Sequence, residues 1–311
     1  YNFIDAADVI FFDSDGRFDA TRTNNRLSEV LADKENAVIP GFYGSTPDGE
    51  VKTFSRGGSD ITGAIVARAV MADIYENWTD VSGFMMCDPR IVDNPRPIKI
   101  ITYRELRELS YMGATVLHED SIFPVKLAGI PINIRNTNCP SDSGTMIVNS
   151  TEGYRSNELI TGIAGKSGFS VIRIEKDMMN GEIGFVMRVL KIFSDRGLSF
   201  EHLPSGIDTM CVVISTEAIK GREREILSAI SKEVNPDNIE IEGSLSLIAV
   251  VGRGMAGMPG TASRVFTALS REGINIRMID QGSSELNIIV GVHECNFQNA
   301  IRCIYSEFNH S

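Results

Sequence analysis

Three stretches of this sequence pair charged or hydroxyl side chains with glycines at spacings that could do chemistry. Ser55-Arg56-Gly57-Gly58-Ser59-Asp60 leads into a helical pattern at Ser59. Glycines just before a helix let backbone N–H groups approach an anion, and the helix dipole favours negative charge there. Arg56 can fork onto a carboxylate or phosphate, and Asp60 can accept from an ammonium group, so the pair suits a zwitterionic amino acid. The same residues would also make a capped helix with a surface Arg–Asp pair. Thr79-Asp80-Val81-Ser82-Gly83 follows a strand pattern and precedes Asp88-Pro89-Arg90. A polar loop at the carboxyl end of a parallel strand is where α/β sheets bind ligands, and Arg90 could reach a polyphosphate. An ordinary connecting loop with an internal ion pair is the alternative. Gly252-Arg253-Gly254-Met255-Ala256-Gly257 matches a dinucleotide fingerprint, with Asp280 downstream. Too few residues follow Asp280 for a doubly wound sheet, and the aligned stretch of an internal repeat lacks the pattern, so a nicotinamide site is not expected.

The elements that must position these residues alternate. Over residues 1–150 the pattern gives a helix at Thr21–Asp33 and strands at Ala37–Ile39 and Val51–Phe54, the latter after a hairpin turn at Asp48-Gly49. It then gives a helix at Ser59–Ala72, a strand at Ile74–Thr79, helices at Thr102–Met112 and Val116–Ala128, and a strand at Ile130–Arg135. Such alternation predicts an α/β domain with a largely parallel sheet, ending near Thr145–Val148. The second half repeats itself: Val171–Ile214 lies on Leu247–Val290 at a shift of 76 residues without a gap. Gly181 meets Gly257, Gly184 meets Gly260, Gly197 meets Gly273 and Gly206 meets Gly282. Each copy reads strand, glycine-containing loop, helix, glycine stop, strand, turn, strand, helix, which is a βαββαβ ferredoxin-like pattern. A tandem pair suggests a small-molecule sensor; a duplicated scaffold without a ligand is the alternative.

Composition narrows the function classes. The 311 residues carry 41 acidic and 30 basic side chains, for a formal charge of −11. An acidic surplus argues against nucleic-acid binding, which needs excess Lys and Arg to neutralise phosphates. No apolar run approaches the roughly 20 residues that span a bilayer, so no membrane partner is expected. Five scattered cysteines with no C-x-x-C, and four scattered histidines, fit reduced thiols in the cytoplasm and no protein-held metal.

Taken together, these segments resemble aspartate kinase (aspartokinase) of the monofunctional kind with two C-terminal ACT domains. The likeness runs from about Val38 to Phe308. It is carried by Gly41-Phe42-Tyr43-Gly44, the 55–60 and 79–83 segments, Asp88-Pro89-Arg90, Gly113-Ala114-Thr115-Val116-Leu117-His118 and the paired repeats. It implies a partial amino-acid-kinase domain (residues 1–150), a first ACT domain with its linker (151–243) and a second (244–311). The implied reaction is phosphorylation of the L-aspartate β-carboxylate by ATP with Mg2+, opening the route to lysine, threonine and methionine. Phe42, Arg56, Ser59 and Asp60 would hold aspartate. Thr79, Asp80, Met85, Arg90 and Thr115 would line the nucleotide side. The sequence departs from the family pattern at Ser55 for glycine, Met85 for tyrosine, Thr115 for lysine and Glu119 for proline. It also lacks the family's opening Lys-Phe-Gly-Gly strand, so by resemblance Tyr1 falls in the middle of the kinase domain. The chain alone is therefore expected to be inactive.

The regulatory half has its own implied site. By resemblance, ACT domains pair across a dimer, with one unit's loop facing its partner's strand. The loop positions are Met179, Glu182, Gly184 and Phe185, and the strand positions are Ser199, Phe200, Glu201, Ser205 and Gly206. Glu201 would take the amino end of an effector, which suits L-lysine; L-threonine is the alternative. Asn275, Ile276 and Gln281–Ser284 would form a pseudo-site in the second unit. Leu159–Gly165 is expected to pair with the C-terminal unit, since the family nests the first unit inside the second. A homodimer through the ACT repeats is expected, with a tetramer as the larger form. The runner-up reading is a non-catalytic dimeric amino-acid-binding regulatory chain.

Overall fold

The computed structural model describes residues 1–55, 58–114, 119–152 and 158–309, with side chains throughout except at 119–121. Contacts divide the chain into two units, Tyr1–Met86 with Arg96–Asn157, and Cys87–Pro95 with Glu158–Ser311.

The first unit is built on α1 (Ala20–Leu31) and α2 (Gly58–Ala69). Helix α1 starts where Asp19 accepts from the Arg22 amide at 3.0 Å, and it buries Thr23 and Leu27, one turn apart on one face. These helices enclose a core of Ile4, Val9, Ile10, Phe12, Leu27, Phe54 and Ile65. Short strands β1 (Asn2–Phe3) and β2 (Ala37–Val38) pair in parallel, and β3 (Tyr43–Ser45) and β4 (Val51–Thr53) form the expected hairpin. The main sheet has the order β5-β7-β8-β6, from β5 (Tyr75–Thr79), β6 (Ile100–Thr102), β7 (Ile132–Asn136) and β8 (Thr145–Val148). Helix α3 (Tyr103–Tyr111) begins at a capping box of Thr102 and Glu105, and α4 (Glu119–Ala128) precedes β7. The sheet is mixed: β5 with β7 and β6 with β8 run parallel, but β7 with β8 runs antiparallel. The sequence reading of a largely parallel sheet therefore misses one pair. The connection from β7 to β8 is too short for a crossover and folds back as a hairpin-like turn.

The second unit is one antiparallel sheet in the order β10-β9-β11-β13-β12. Its elements are β9 (Gly162–Glu175), α5 (Phe185–Ser194), β10 (Thr209–Ser215), α6 (Thr216–Ile219), α7 (Glu223–Val234), β11 (Asn238–Val251), α8 (Thr261–Arg271), β12 (Ile276–Asp280), β13 (Asn287–His293) and α9 (Phe297–Asn309). Strands β9 and β11 each serve both repeats. The end of β9 pairs with the start of β11 (Ile172 opposite Ile241), and the start of β9 pairs with the end of β11 (Ala164 opposite Ala249). Register shifts between Glu242 and Leu247 separate the two halves. Each repeat thus takes one strand from outside its own copy. In the first repeat the second strand survives only as bridges at His202 and Ser205, because Pro204 has no N–H to continue the ladder. The halves are tied by Arg277 on β12, which pairs with Glu242 and donates to the Gly243 carbonyl at 3.3 Å, and by His202 Nδ1 lying 2.6 Å from Asp280 Oδ2.

The structure also explains the glycines of the apparent dinucleotide fingerprint. A Cβ on Gly252 would lie 2.5 Å from Ile160 Cα, and one on Gly254 would lie 2.3 Å from the Glu158 carbonyl oxygen. They are small so that the 158–161 backbone can pack against them.

Candidate functional site

In the first unit the site is assembled at the head of α2. Gly58 opens the helix with φ +50°, a left-handed conformation that glycine adopts without a Cβ penalty. The Gly41-Phe42 turn lies against this end of the helix. A Cβ on Gly41 would come within 2.9 Å of Ser59 Cβ, and the Phe42 amide donates to Thr62 Oγ1 at 2.9 Å. Phe42 itself has φ +82°, which a bulky residue rarely adopts, and its side chain is partly exposed. Phe42, Ser59 and Asp60 are thereby brought to one end of one helix. Arg56 lies outside the described residues.

Asp60 is held from below by strand β5. Asn77 Nδ2 donates to Asp60 Oδ1 at 2.9 Å and to Tyr75 Oη at 3.1 Å. Tyr75 Oη donates to the Asp60 carbonyl at 3.0 Å. The phenol is pushed up to about 12, chiefly by burial, so it stays a donor at neutral pH. Neither Tyr75 nor Asn77 was singled out from sequence. The signal was an asparagine within a strand pattern on the same face as Tyr75 and Thr79, where burial demands a partner.

The 79–83 segment leaves the carboxyl end of β5, next to the parallel end of β7. The Thr79 carbonyl accepts from the Thr137 amide at 2.8 Å and hydroxyl at 2.9 Å. Thr79 Oγ1 lies 3.3 Å from Asp80 Oδ1, and Asp80 is exposed. Ser82 donates to Asp142 at 2.5 Å and accepts from buried Asn136 at 2.8 Å. Gly83, at φ +97°, sits where a Cβ would meet Thr145 Oγ1 at 2.3 Å. These hydrogen bonds and the crowding at Gly83 fix the turn at the carboxyl end of β5. Met85 bridges Pro97. Thr115 lies outside the described residues.

Arg90 belongs to the nine-residue excursion Cys87–Pro95, which groups with the second unit. Arg302 on α9 donates to the Ile91 carbonyl at 2.8 Å. The Arg90 guanidinium forks onto Asp88, with its Nη2 at 2.7 Å, and holds that carboxyl below the usual range. The Arg90 guanidinium is thus already paired with a carboxylate. Among the described residues there is no cluster of three metal-ligating side chains, and no helix is long and apolar enough to cross a membrane.

In the second unit the loop before α5 and the 206–209 turn of the same chain are in contact. The Asn180 amide donates to the Ile207 carbonyl at 3.2 Å and the Met178 amide to Asp208 Oδ1 at 3.0 Å, so the loop before α5 abuts the 206–209 turn. The Met179 and Phe185 side chains are in the core, leaving only their backbone at the loop surface. Gly184 precedes α5 with φ +78°. Glu182 is engaged by Lys176 at 2.6 Å and by Arg188, hydrogen bonds that lower its pKa. Glu201 is half-buried, its amide bound to the Val213 carbonyl at 2.8 Å. Ser199, Phe200, Ser205 and Gly206 are exposed on that edge. The second repeat differs: Glu285 Oε2 accepts from the Gly257 amide at 2.6 Å, so the chain's own carboxylate fills that loop.

Comparison with known proteins places this geometry. A model of the amino acid kinase family matches residues 3–136, and one of the ACT domain matches residues 248–308. Aspartokinase 3 of Bacillus subtilis is 44% identical over 280 residues, covering 89% of this chain and 61% of that protein. The crystal structure of Clostridium acetobutylicum aspartate kinase superposes with a TM-score of 0.93 at 57% identity, over 99% of this chain and 71% of that one. The structure of E. coli aspartokinase III in complex with lysine and aspartate matches with a TM-score of 0.76 at 25% identity, over 99% and 69%. The chain therefore spans about three fifths of the length of the Bacillus protein.

Proposed function

The chain belongs to the aspartokinase family, and from that membership we propose that it carries the acceptor side of an aspartate kinase site together with its amino-acid sensor. The reaction is transfer of the ATP γ-phosphoryl to the β-carboxylate of L-aspartate: a carboxylate oxygen attacks phosphorus, the bond to the ADP oxygen breaks, and 4-phospho-L-aspartate forms. The observation that carries this reading is the head of α2, where Phe42, Ser59 and Asp60 share one helix end and Asp60 is oriented by Asn77. Asp60 takes the substrate ammonium, and Arg56 forks onto a carboxylate. Positioning of this kind is the main protein contribution to phosphoryl transfer. The related E. coli enzyme's complex with aspartate and lysine supports the choice of acceptor and effector.

By their family motifs, Thr79, Asp80, Met85, Arg90 and Thr115 are the residues we assign to the nucleotide. Magnesium brought in on ATP would keep several waters and need only one or two carboxylates, which exposed Asp80 could supply. When bound, the ion neutralises phosphate charge. Arg90 supplies a second cation once it leaves Asp88.

L-lysine is the effector we assign to the first repeat, with its amino end on Glu201, the acidic position that the family resemblance implies. The self-filled loop of the second repeat supports one effector per chain. Ile183, Met187 and Ile207, apolar and exposed around the first-repeat loop, support a homodimer through this face. The scattered thiols suit the cytoplasm.

Calorimetric titration of the chain tests both halves. Saturable binding of L-aspartate and of L-lysine, each near one site per chain, is expected, with lysine affinity lost in Glu201→Ala. Absence of aspartate binding would overturn the acceptor assignment, and unchanged lysine affinity in Glu201→Ala would overturn the effector assignment.

A further inference from the structure

Strand β5 alternates faces. Glu76 and Trp78 point outward, where Arg135 Nη1 binds Glu76 at 3.3 Å and the guanidinium lies 4.9 Å from the Trp78 ring. Tyr75 and Asn77 point inward at α2. Asn77 is only 6% exposed, and its neighbours across the sheet, Ile132 and Ile134, are fully buried. A buried asparagine in a strand adds little packing, has poor strand propensity, and costs free energy unless its amide is bonded. Its amide hydrogens go to Asp60 Oδ1 and to Tyr75 Oη, and the phenol in turn donates to the Asp60 main chain. Asp60 is thus fixed at both its side chain and its backbone by one strand. Among the described residues, Oδ2 of Asp60 makes no hydrogen bond, so Asn77 holds one carboxylate oxygen and not the other. Gly63 makes the arrangement possible, since a Cβ there would overlap the Tyr75 ring at 2.7 Å.

We infer that Asn77 and Tyr75 are positioning residues that aim the Asp60 carboxylate at the α-ammonium group of the acceptor and so set the preference for an amino acid over a plain dicarboxylic acid. Neither side chain touches the ligand; both act through Asp60. The inference rests on the acceptor reading proposed above. Losing one hydrogen bond to a charged group corresponds to about a tenfold change or more in affinity.

The test compares L-aspartate with succinate, which has the same two carboxylates and no ammonium, by calorimetric titration of the full chain. The unaltered chain prefers aspartate. In Asn77→Leu, similar in volume but without the amide, and in Tyr75→Phe, the ratio of aspartate to succinate affinity falls about tenfold. A merely structural role would weaken both ligands alike. Should Asn77→Leu fail to fold, Tyr75→Phe, which keeps the ring on Gly63, decides alone. Retention of the full preference in a folded variant overturns the inference and leaves the acceptor site standing. No preference for aspartate in the unaltered chain overturns the assignment of Asp60 itself.

Discussion

Replacing Gly63 by alanine sets two magnitudes of opposite sign against each other. Glycine inside a helix costs about 0.8–1.0 kcal/mol relative to alanine, so helix propensity alone makes Gly63→Ala stabilising. The structure predicts the reverse. The added Cβ would sit 2.7 Å from Tyr75 Cε2 and Oη and 2.9 Å from Cζ, and the ring cannot retreat without leaving Asp60 and Asn77. Overpacking of this kind costs about 1–3 kcal/mol. Each lost hydrogen bond adds about 0.5–1.5 kcal/mol. With both Tyr75 hydrogen bonds lost and the propensity gain subtracted, the net is a destabilisation of roughly 1–5 kcal/mol. In a unit of this size that lowers the thermal midpoint by about 2–4 °C per kcal/mol. Scanning calorimetry of the unaltered chain, Gly63→Ala, Tyr75→Leu and the double variant reads it out. The double variant should recover most of the loss, since leucine leaves room for the methyl group. A Gly63→Ala chain that melts higher than the unaltered one would refute the account of why Tyr75 lies where it does.

Other consequences can be measured separately. The Glu182 carboxyl is lowered from its ordinary 4.5 by hydrogen bonds from Lys176 and Arg188, so its contribution to stability is present above 4.5 and lost as pH falls through the lowered folded value. Glu182→Gln should therefore reduce the acid-side loss of thermal midpoint seen in a pH series, leaving the series above pH 6 parallel. Burial pushes the Cys87 thiol up to about 12 and Cys303 to about 11, whereas Cys139 and Cys295 are exposed. Timed alkylation with mass spectrometry should label Cys139 and Cys295 well before Cys87, and early labelling of Cys87 would contradict its burial. Arg302→Ala removes the donor to the Ile91 carbonyl and should speed amide hydrogen exchange in the Cys87–Pro95 excursion.

Much of the architecture is legible from local pattern. Period-2 and period-3.6 spacing mark the helices from Ser59 and Thr102 and the strand at Ile74–Thr79 to within a few residues, because side-chain direction is a property of neighbouring backbone. The repeat at a shift of 76 residues is likewise visible, since matching glycines stand where a helix must start or stop. The motifs at residues 41–44, 55–60 and 79–83 identify the family because each needs particular residue types at one turn.

Tertiary structure decided whatever depends on which segment lies beside which. Nothing in the period of β7 and β8 says that they run antiparallel; the short return between them does. Strands β9 and β11 are long enough to serve both repeats, and only their pairing divides them. The sequence discounts glycines 252 and 254 as a dinucleotide loop, but only the packing of residues 158–161 against them gives the reason they are small. Arg90, seven residues past the nucleotide-side turn that ends at Gly83, groups with the other unit. Asn77 reads in sequence as a poor strand residue. The register of β5 against the first turn of α2 makes it the hydrogen-bond partner of Asp60, and no local pattern encodes that register.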